Sequence, residues 1–355
     1  MAGRGWNMST TTDLPLSRRR RVSRLIVVLV AIVVLLPALA LGGFRVAALL
    51  RESGPSAPDP EQKTVEAAGL AMRYMEWGPP EGRPLLLVHG TMAWSGTWRD
   101  IAAPLAAQGF RVIAPDIPPF GYSTRPASHD YSRGAGAGRI LAFADALRLD
   151  RFALAVHSYG GGAAIEAAFI APQRIDALVL LDVALGLGRR DAPAPPLADL
   201  LDMPLLGDAL VSATFTNPWM IAPGLRDFVA DDAVVTAERV DLYRAPLTEP
   251  GTTAAVRNWL FTGLYGDERG SRAADLRSYA AFAPPVLVVW GRDDTVTPLA
   301  QGEAIAVAFG DASLVVLDGV NHIPHVEKPQ AVVDAMLDFL RRDRGIEVGD
   351  LRGSL

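Results

Sequence analysis

Six short apolar runs constrain this chain more than any other feature: Leu85–Val88, Phe110–Ala114, Phe152–Val156, Ala177–Leu181, Val286–Trp290 and Leu314–Leu317. Only the second carries a charge, Arg111. A strand with one face in water alternates apolar and polar residues, so continuous runs of this length predict strands covered on both faces. Helical patterns lie between them: Trp98–Gln108 before Gly109, Tyr131–Leu149, Ala163–Phe169, Leu299–Phe309 and Gln330–Arg342. Gly134, Gly136 and Gly138 weaken the start of the second. Repeated strand–helix alternation predicts an α/β fold with a doubly wound, mostly parallel sheet. Ahead of it, Thr64–Ala68 and Leu70–Trp77 read as a hairpin turning near Gly69.

The alternation lapses between residues 184 and 283, too long a stretch for one crossover. Pro193, Pro195 and Pro196 open it, and helical pieces follow at Leu197–Val211, Leu225–Tyr243, Thr252–Phe261 and Ser271–Ala281. This predicts an inserted helical cap. Phe215, Trp219, Met220, Phe228, Trp259 and Tyr265 are expected in the core of that cap rather than against a ligand.

The N-terminus has another character. Arg18, Arg19, Arg20, Arg21 and Arg24 precede Leu25–Phe44, an uncharged stretch of about 20 residues, long enough to span the hydrocarbon of a bilayer. The positive-inside rule puts the arginines in the cytoplasm and the rest outside. A single-pass anchor in a bacterial-type inner or plasma membrane, with an extracytoplasmic globular part, is the first expectation. A cleaved signal peptide, with Ala38-Leu39-Ala40 as its processing site, and a buried core helix are the others. The expected organisation is a basic segment at 1–24, a span at 25–44, a Pro-rich solvated linker at 45–62, a core from 63–183 and 284–345, a cap at 184–283 and a loose tail at 346–355.

Composition removes several functions. The 355 residues include 34 Lys and Arg against 39 Asp and Glu, a net charge of −5 that disfavours a nucleic-acid surface. Cysteine is absent, which excludes disulfides, thiol catalysis and thiolate metal sites. None of the five histidines falls in a His-Glu-x-x-His pattern, so no metal is expected, and no cofactor motif stands out.

In a parallel sheet, ligands bind beyond the carboxyl ends of the strands. Ser158 follows the third run, in His157-Ser158-Tyr159-Gly160-Gly161-Gly162; Asp294 follows the fifth; His322 follows the sixth; His89-Gly90-Thr91 follows the first. A hydroxyl, a carboxylate and an imidazole are thus delivered to one edge. That set suits acyl transfer: histidine takes the serine proton, and the carboxylate orients the ring and stabilises its charged form. The Tyr159 N–H, at a helix start, and the Thr91 N–H are the expected donors to an oxyanion.

Taken together, Ser158…Asp294…His322 in that order, His89-Gly90-Thr91, Asp116-Ile-Pro-Pro-Phe-Gly-Tyr-Ser123, Gly291-x-x-Asp294-x-x-x-Pro298 and Asn321-His322 resemble the α/β-hydrolase superfamily, of the kind with a helical cap, over residues 63–342. The resemblance implies a serine hydrolase acting on an ester or related acyl bond of a small apolar substrate. A carbon–carbon bond hydrolase, perhydrolase or lactonase on the same fold is the alternative, and a non-catalytic binding protein a further one. Aspartate-nucleophile relatives, the haloalkane dehalogenases and epoxide hydrolases, are disfavoured by Ser158. One departure stands out: Val156 occupies the first glycine position of the usual Gly-x-Ser-x-Gly, and a branched side chain there should crowd the turn.

Other residues have humbler expectations. Asp293 is the neighbour that could replace Asp294, and Asp182 a carboxylate at another strand end. His325 is expected at the surface, His89 as a brace for the Thr91 loop, His157 and His129 without a catalytic role, and Asp116 and Ser123 as turn-builders. The oligomeric state stays open.

Overall fold

The computed structural model describes residues 16–187, 198–266 and 270–342. An eight-stranded sheet organises them: β1 (Lys63–Ala67), β2 (Leu70–Trp77), β3 (Arg83–Val88), β4 (Phe110–Pro115), β5 (Phe152–His157), β6 (Ile175–Leu181), β7 (Val286–Gly291) and β8 (Ser313–Leu317). Their spatial order is β1-β2-β4-β3-β5-β6-β7-β8. The β1–β2 and β2–β4 pairs are antiparallel; every pair from β4 to β8 is parallel. All six apolar runs are strands of this parallel part.

Their continuity has a direct cause. Successive strand residues point to opposite faces, and both faces are roofed by helices. Leu86, Val88, Leu154 and Val288 pack with α3 (Arg133–Ala146), α4 (Gly160–Ile170) and α10 (Leu299–Phe309). Leu85, Leu87, Ala155 and Val289 pack with α2 (Arg99–Ala106) and α12 (Pro329–Arg342).

Between β6 and β7 lie α5 (Ala198–Asp202), α6 (Pro204–Ala213), α7 (Ile221–Asp227), α8 (Ala237–Arg244) and α9 (Thr252–Trp259), the last continuing into a π-turn at Leu260–Leu264. These are shorter than the helices expected. Pro204 forces Met203 into extended backbone and splits the first in two. The second breaks where the Thr236 side chain accepts the Arg239 N–H and starts α8 afresh. The piece expected at Ser271–Ala281 is two 3₁₀ turns. The prolines that open this region, and the terminal segments 1–15 and 343–355, lie outside the described residues.

A single helix, α1 (Leu16–Glu52), runs through the apolar N-terminal stretch, about 55 Å at helical rise. Val30–Glu52 is long and apolar enough to cross a membrane by length and composition. Residues 45–62 are not the solvated linker expected. Helix α1 continues to Glu52 and packs on α6, and the segment after it is pinned. Gln62 donates to Asp116 at 2.7 Å, Ser56 to Glu249 at 2.7 Å, and Arg99 pairs with Asp59 at 2.8 Å. Acidic and amide side chains between prolines resemble a spacer until their partners are known.

The glycines of α3 divide by environment. A Cβ on Gly136 would lie 2.7 Å from the Ala163 Cβ, whereas nothing lies within 4 Å of one on Gly138. Gly136 lets α3 approach α4; Gly138 only loosens the helix. Gly138→Ala should therefore raise stability by about 0.5–1 kcal/mol, and Gly136→Ala should lower it by about 1–3 kcal/mol. Urea midpoints of the two variants check this; equal effects would contradict the packing described.

Candidate active site

At the end of β5 the chain turns sharply into α4, and Ser158 takes a left-handed φ of +51°. A non-glycine residue there is strained, and it persists because its neighbours hold it. The Ser158 N–H donates to the Leu181 carbonyl at 3.1 Å, and its own carbonyl accepts from Gly161 and Ala184, each at 2.9 Å. A Cβ on Gly160 would meet the His89 carbonyl oxygen at 2.5 Å and Val156 Cγ2 at 3.1 Å. Val156 thus fits because Gly160 has no side chain; it stays in register, paired with Val88 and Leu180. The crowding expected from it is met at Gly160 and not at Ser158.

The loops after β7 and β8 bring the other two groups in. His322 Nε2 lies 2.8 Å from Ser158 Oγ, and His322 Nδ1 lies 2.9 Å from Asp294 Oδ2. All three residues are buried. With Asp294 ionised, the His322 Nδ1–H donates to it, which leaves Nε2 as the acceptor facing the hydroxyl. Asp294 is itself saturated: Val296 and Thr297 N–H donate to Oδ1 at 2.7 and 2.8 Å, and the Thr297 hydroxyl donates to Oδ2 at 2.6 Å. Burial pushes this carboxyl up, but the hydrogen bonds from His322 and Thr297 outweigh it and hold it below the usual range. Asp293 is exposed and takes no part.

His322 is also fixed through its backbone. Its N–H donates to the Phe228 carbonyl of the cap at 3.0 Å, and its carbonyl accepts from His157 Nε2 at 2.7 Å. His157, given no role from sequence, is therefore a brace on the His322 loop. Glu327 is another: its carboxylate accepts the N–H groups of Asn321, Ile323 and Ala230. The His157 partnership is not visible in sequence, because only the fold brings its ring to the His322 carbonyl; Glu327 reaches back four and six residues to Ile323 and Asn321, and its bond to Ala230 is the one the fold creates. Thr297 left a faint signal, a threonine three residues after an aspartate, the spacing of a local side-chain-to-backbone turn.

His325 corrects an expectation. It is 1 % exposed, stacked on Trp98 with ring centroids 4.3 Å apart, its Nε2 3.1 Å from Thr97 Oγ1. Its short helix, α11 (Pro324–Glu327), turns the ring inward. Asp182 ends β6 and accepts the Gly291 N–H at 2.8 Å, so it ties β6 to β7 instead of meeting a histidine. His89 does brace the Thr91 loop: its Nε2 accepts the Ile117 N–H at 2.9 Å. Asp116 closes its turn by accepting from Ser95 and Tyr122, and Ser123 donates to the Asp116 carbonyl.

A cavity of about 890 Å³ stands above Ser158, with Thr91, Tyr159 and His322 in its wall. Of the six cap residues expected in a cap core, Phe215, Met220, Phe228, Trp259 and Tyr265 line this cavity. The sixth, Trp219, is 74 % exposed. Short helices joined by turns cannot bury every apolar face on one another, so the remaining faces turn to the space beneath. Among the described residues, no cluster of three or more His, Asp or Glu could hold a metal ion.

Comparison with known proteins agrees with this architecture. The model of the Alpha/beta hydrolase family matches residues 85–335. An uncharacterized protein of Mycobacterium tuberculosis is 30% identical over 80% of this chain and 81% of its own length. The 2-hydroxymuconate semialdehyde hydrolase of Pseudomonas sp. (strain CF600) is 28% identical over 78% of this chain and 93% of its own. Among solved structures, a bacterial membrane phospholipase A superposes with a TM-score of 0.62 at 25% identity, covering 92% of this chain and 99% of that one.

The buried histidines make stability depend on pH. Burial lowers His89 and His325 and takes His157 down to about 3. In the unfolded chain imidazoles take up protons below about pH 6.5. Stability is therefore full above that pH and falls as the pH drops below it, by up to about 1.4 kcal/mol per pH unit per histidine. Asp182, raised by burial, works the opposite way. Folded, it keeps a proton that the unfolded chain releases above about pH 4, but three histidines outweigh one carboxyl. The urea midpoint should be lower at pH 5 than at pH 7, with His325→Asn narrowing the gap. A midpoint equal or higher at pH 5 would contradict this account.

Proposed function

The chain belongs to the alpha/beta hydrolase family, and we propose that within it this protein is a serine hydrolase that cleaves an ester or related acyl bond through an acyl-Ser158 intermediate. The observation that carries the reading is the continuous hydrogen-bonded line from Ser158 Oγ through His322 to Asp294, at 2.8 and 2.9 Å. The strained turn presents that hydroxyl at the floor of an apolar cavity.

The chemistry follows from the atoms. Ser158 Oγ attacks the acyl carbon as His322 Nε2 takes its proton, and Asp294 stabilises the imidazolium. The carbonyl oxygen becomes an oxyanion, for which the N–H groups of Tyr159, at the start of α4, and Thr91 are the donors in this reading. His322 returns the proton to the leaving alcohol, which departs. Water then attacks the acyl-serine with His322 as base, the acid is released and Ser158 regains its proton.

A second reading stays within the family. The Pseudomonas relative is named for hydrolysis of 2-hydroxymuconate semialdehyde, a carboxylate-bearing substrate, and in this second reading the bond cleaved here would be carbon–carbon. Arg133, whose guanidinium donates to the Leu185 carbonyl at 2.7 Å, lines the same cavity and would suit such a carboxylate. The ester reading ranks first because the cavity wall is mainly apolar, and because a solved bacterial membrane phospholipase A covers 92% of this chain.

In this proposal α1 is kept as a membrane anchor, with the hydrolase on the extracytoplasmic side. The arginines preceding the span support that orientation. The phospholipase's coverage of 92% of the chain supports a shared N-terminal element.

A fluorophosphonate probe should label the wild-type chain and leave Ser158→Ala unlabelled. Asp294→Asn should reduce turnover of p-nitrophenyl esters by about 10⁴-fold with the fold intact, since the ring would lose its tautomer. Folded protein that no probe labels would refute the acyl-serine. Turnover of a hydroxymuconate-type dienoate with no ester hydrolysis would favour the second reading.

A further inference from the structure

Helix α1 is welded to the cap. The buried Glu52 carboxylate accepts the Thr253 N–H at 3.2 Å and is bonded to the Thr253 hydroxyl. Arg51 Nε donates to the Leu247 carbonyl at 2.9 Å, and Asp208 is bracketed by Arg45 at 2.9 Å and Arg257 at 2.8 Å. About two turns before Arg51 the Phe44 ring meets the Trp219 ring edge-on at 6.3 Å. Phe44 is where the uncharged stretch ends, so Trp219 sits level with the end of the span. Tryptophan is the residue that favours that depth in a bilayer.

Trp219 is not an isolated exposed ring. Leu205, 87 % exposed, and Met203, 55 % exposed, belong to the segment on which α1 packs. Phe215 and Met220, which flank Trp219 in sequence, are 38 % and 46 % exposed and also line the cavity above Ser158. Scattered exposed apolar residues are ordinary, but a set that joins a candidate span to the rim of a cavity marks a contact surface. Its attraction is apolar, since Asp199 and Asp202 lie on α5 beside it and oppose anionic headgroups.

We propose that this face of the cap rests in the membrane interface, so that the cavity opens against lipid and receives an acyl-chain amphiphile from the leaflet instead of from water. The inference rests on α1 being the anchor and Ser158 the nucleophile. It adds the source of the substrate and the surface that admits it.

The absence of cysteine from the chain allows a clean test. Leu205→Cys, Trp219→Cys and Val307→Cys, the last 80 % exposed on α10, are labelled with an environment-sensitive fluorophore in the full chain and reconstituted into phosphatidylcholine vesicles. Probes at 205 and 219 should be quenched by nitroxide-bearing lipid and shielded from aqueous iodide, and the probe at 307 should show the reverse. Iodide quenching at 205 and 219 equal to that at 307 would overturn the proposal. So would shielding from both quenchers with 219–219 cross-linking, which would make the face a contact between copies.

The double variant Leu205→Glu/Trp219→Glu should keep its turnover of water-soluble p-nitrophenyl acetate. Turnover of a long-chain ester held in vesicles should fall about tenfold or more, as expected when two large apolar side chains lose their burial. Equal loss on both substrates would refute loading from the leaflet. Failure of the wild type on any ester would instead refute the acyl-serine reading, with the quenching data still deciding the membrane contact.

Discussion

One imidazole ties the molecule together. His322 accepts from a hydroxyl at the end of β5, donates to a carboxylate after β7 and sits on the loop after β8. Its backbone is bonded to the cap on one side and to His157 on the other. Moving any of these by about an ångström would break a hydrogen bond near 2.8 Å, because such bonds weaken steeply with distance and angle. The parallel sheet supplies the rigidity: adjacent parallel strands end together, so side chains just beyond them share one edge.

Around that point the structure accepts local strain where it is well braced. Ser158 and Asp182 both adopt positive φ, at the ends of adjacent strands. Each is locked by hydrogen bonds across to the neighbouring strand, Ser158 N–H to Leu181 and Asp182 N–H to Val289. Gly160 then removes the side chain that would collide with the His89 carbonyl. A glycine two residues after the serine suffices here, so Val156 before it can stay in the sheet.

The cap and α1 form the second organised region. The cap does not bury itself: its apolar residues are shared between a small core of its own, the cavity and the outer face next to α1. The polar clamp at Arg45, Arg51 and Glu52 fixes the helix direction relative to the cavity. The N-terminal segment is thereby part of the architecture of the site.

What could be read from residues alone was whatever short-range physics governs. Doubly covered strands need unbroken apolar runs, and each of the six was a strand; Ser158, Asp294 and His322, whose side chains meet in the structure, each follow one. Tertiary structure alone decided that His325 turns inward, that residues 45–62 are pinned, that the cap's aromatic residues line a cavity, and that His157 holds the histidine loop. The reason is separation: Glu52 and Thr253 are 201 positions apart, and His157 and His322 are 165. No local pattern encodes such a pairing, because a polar side chain carries no mark of its partner until the sheet has brought both ends together.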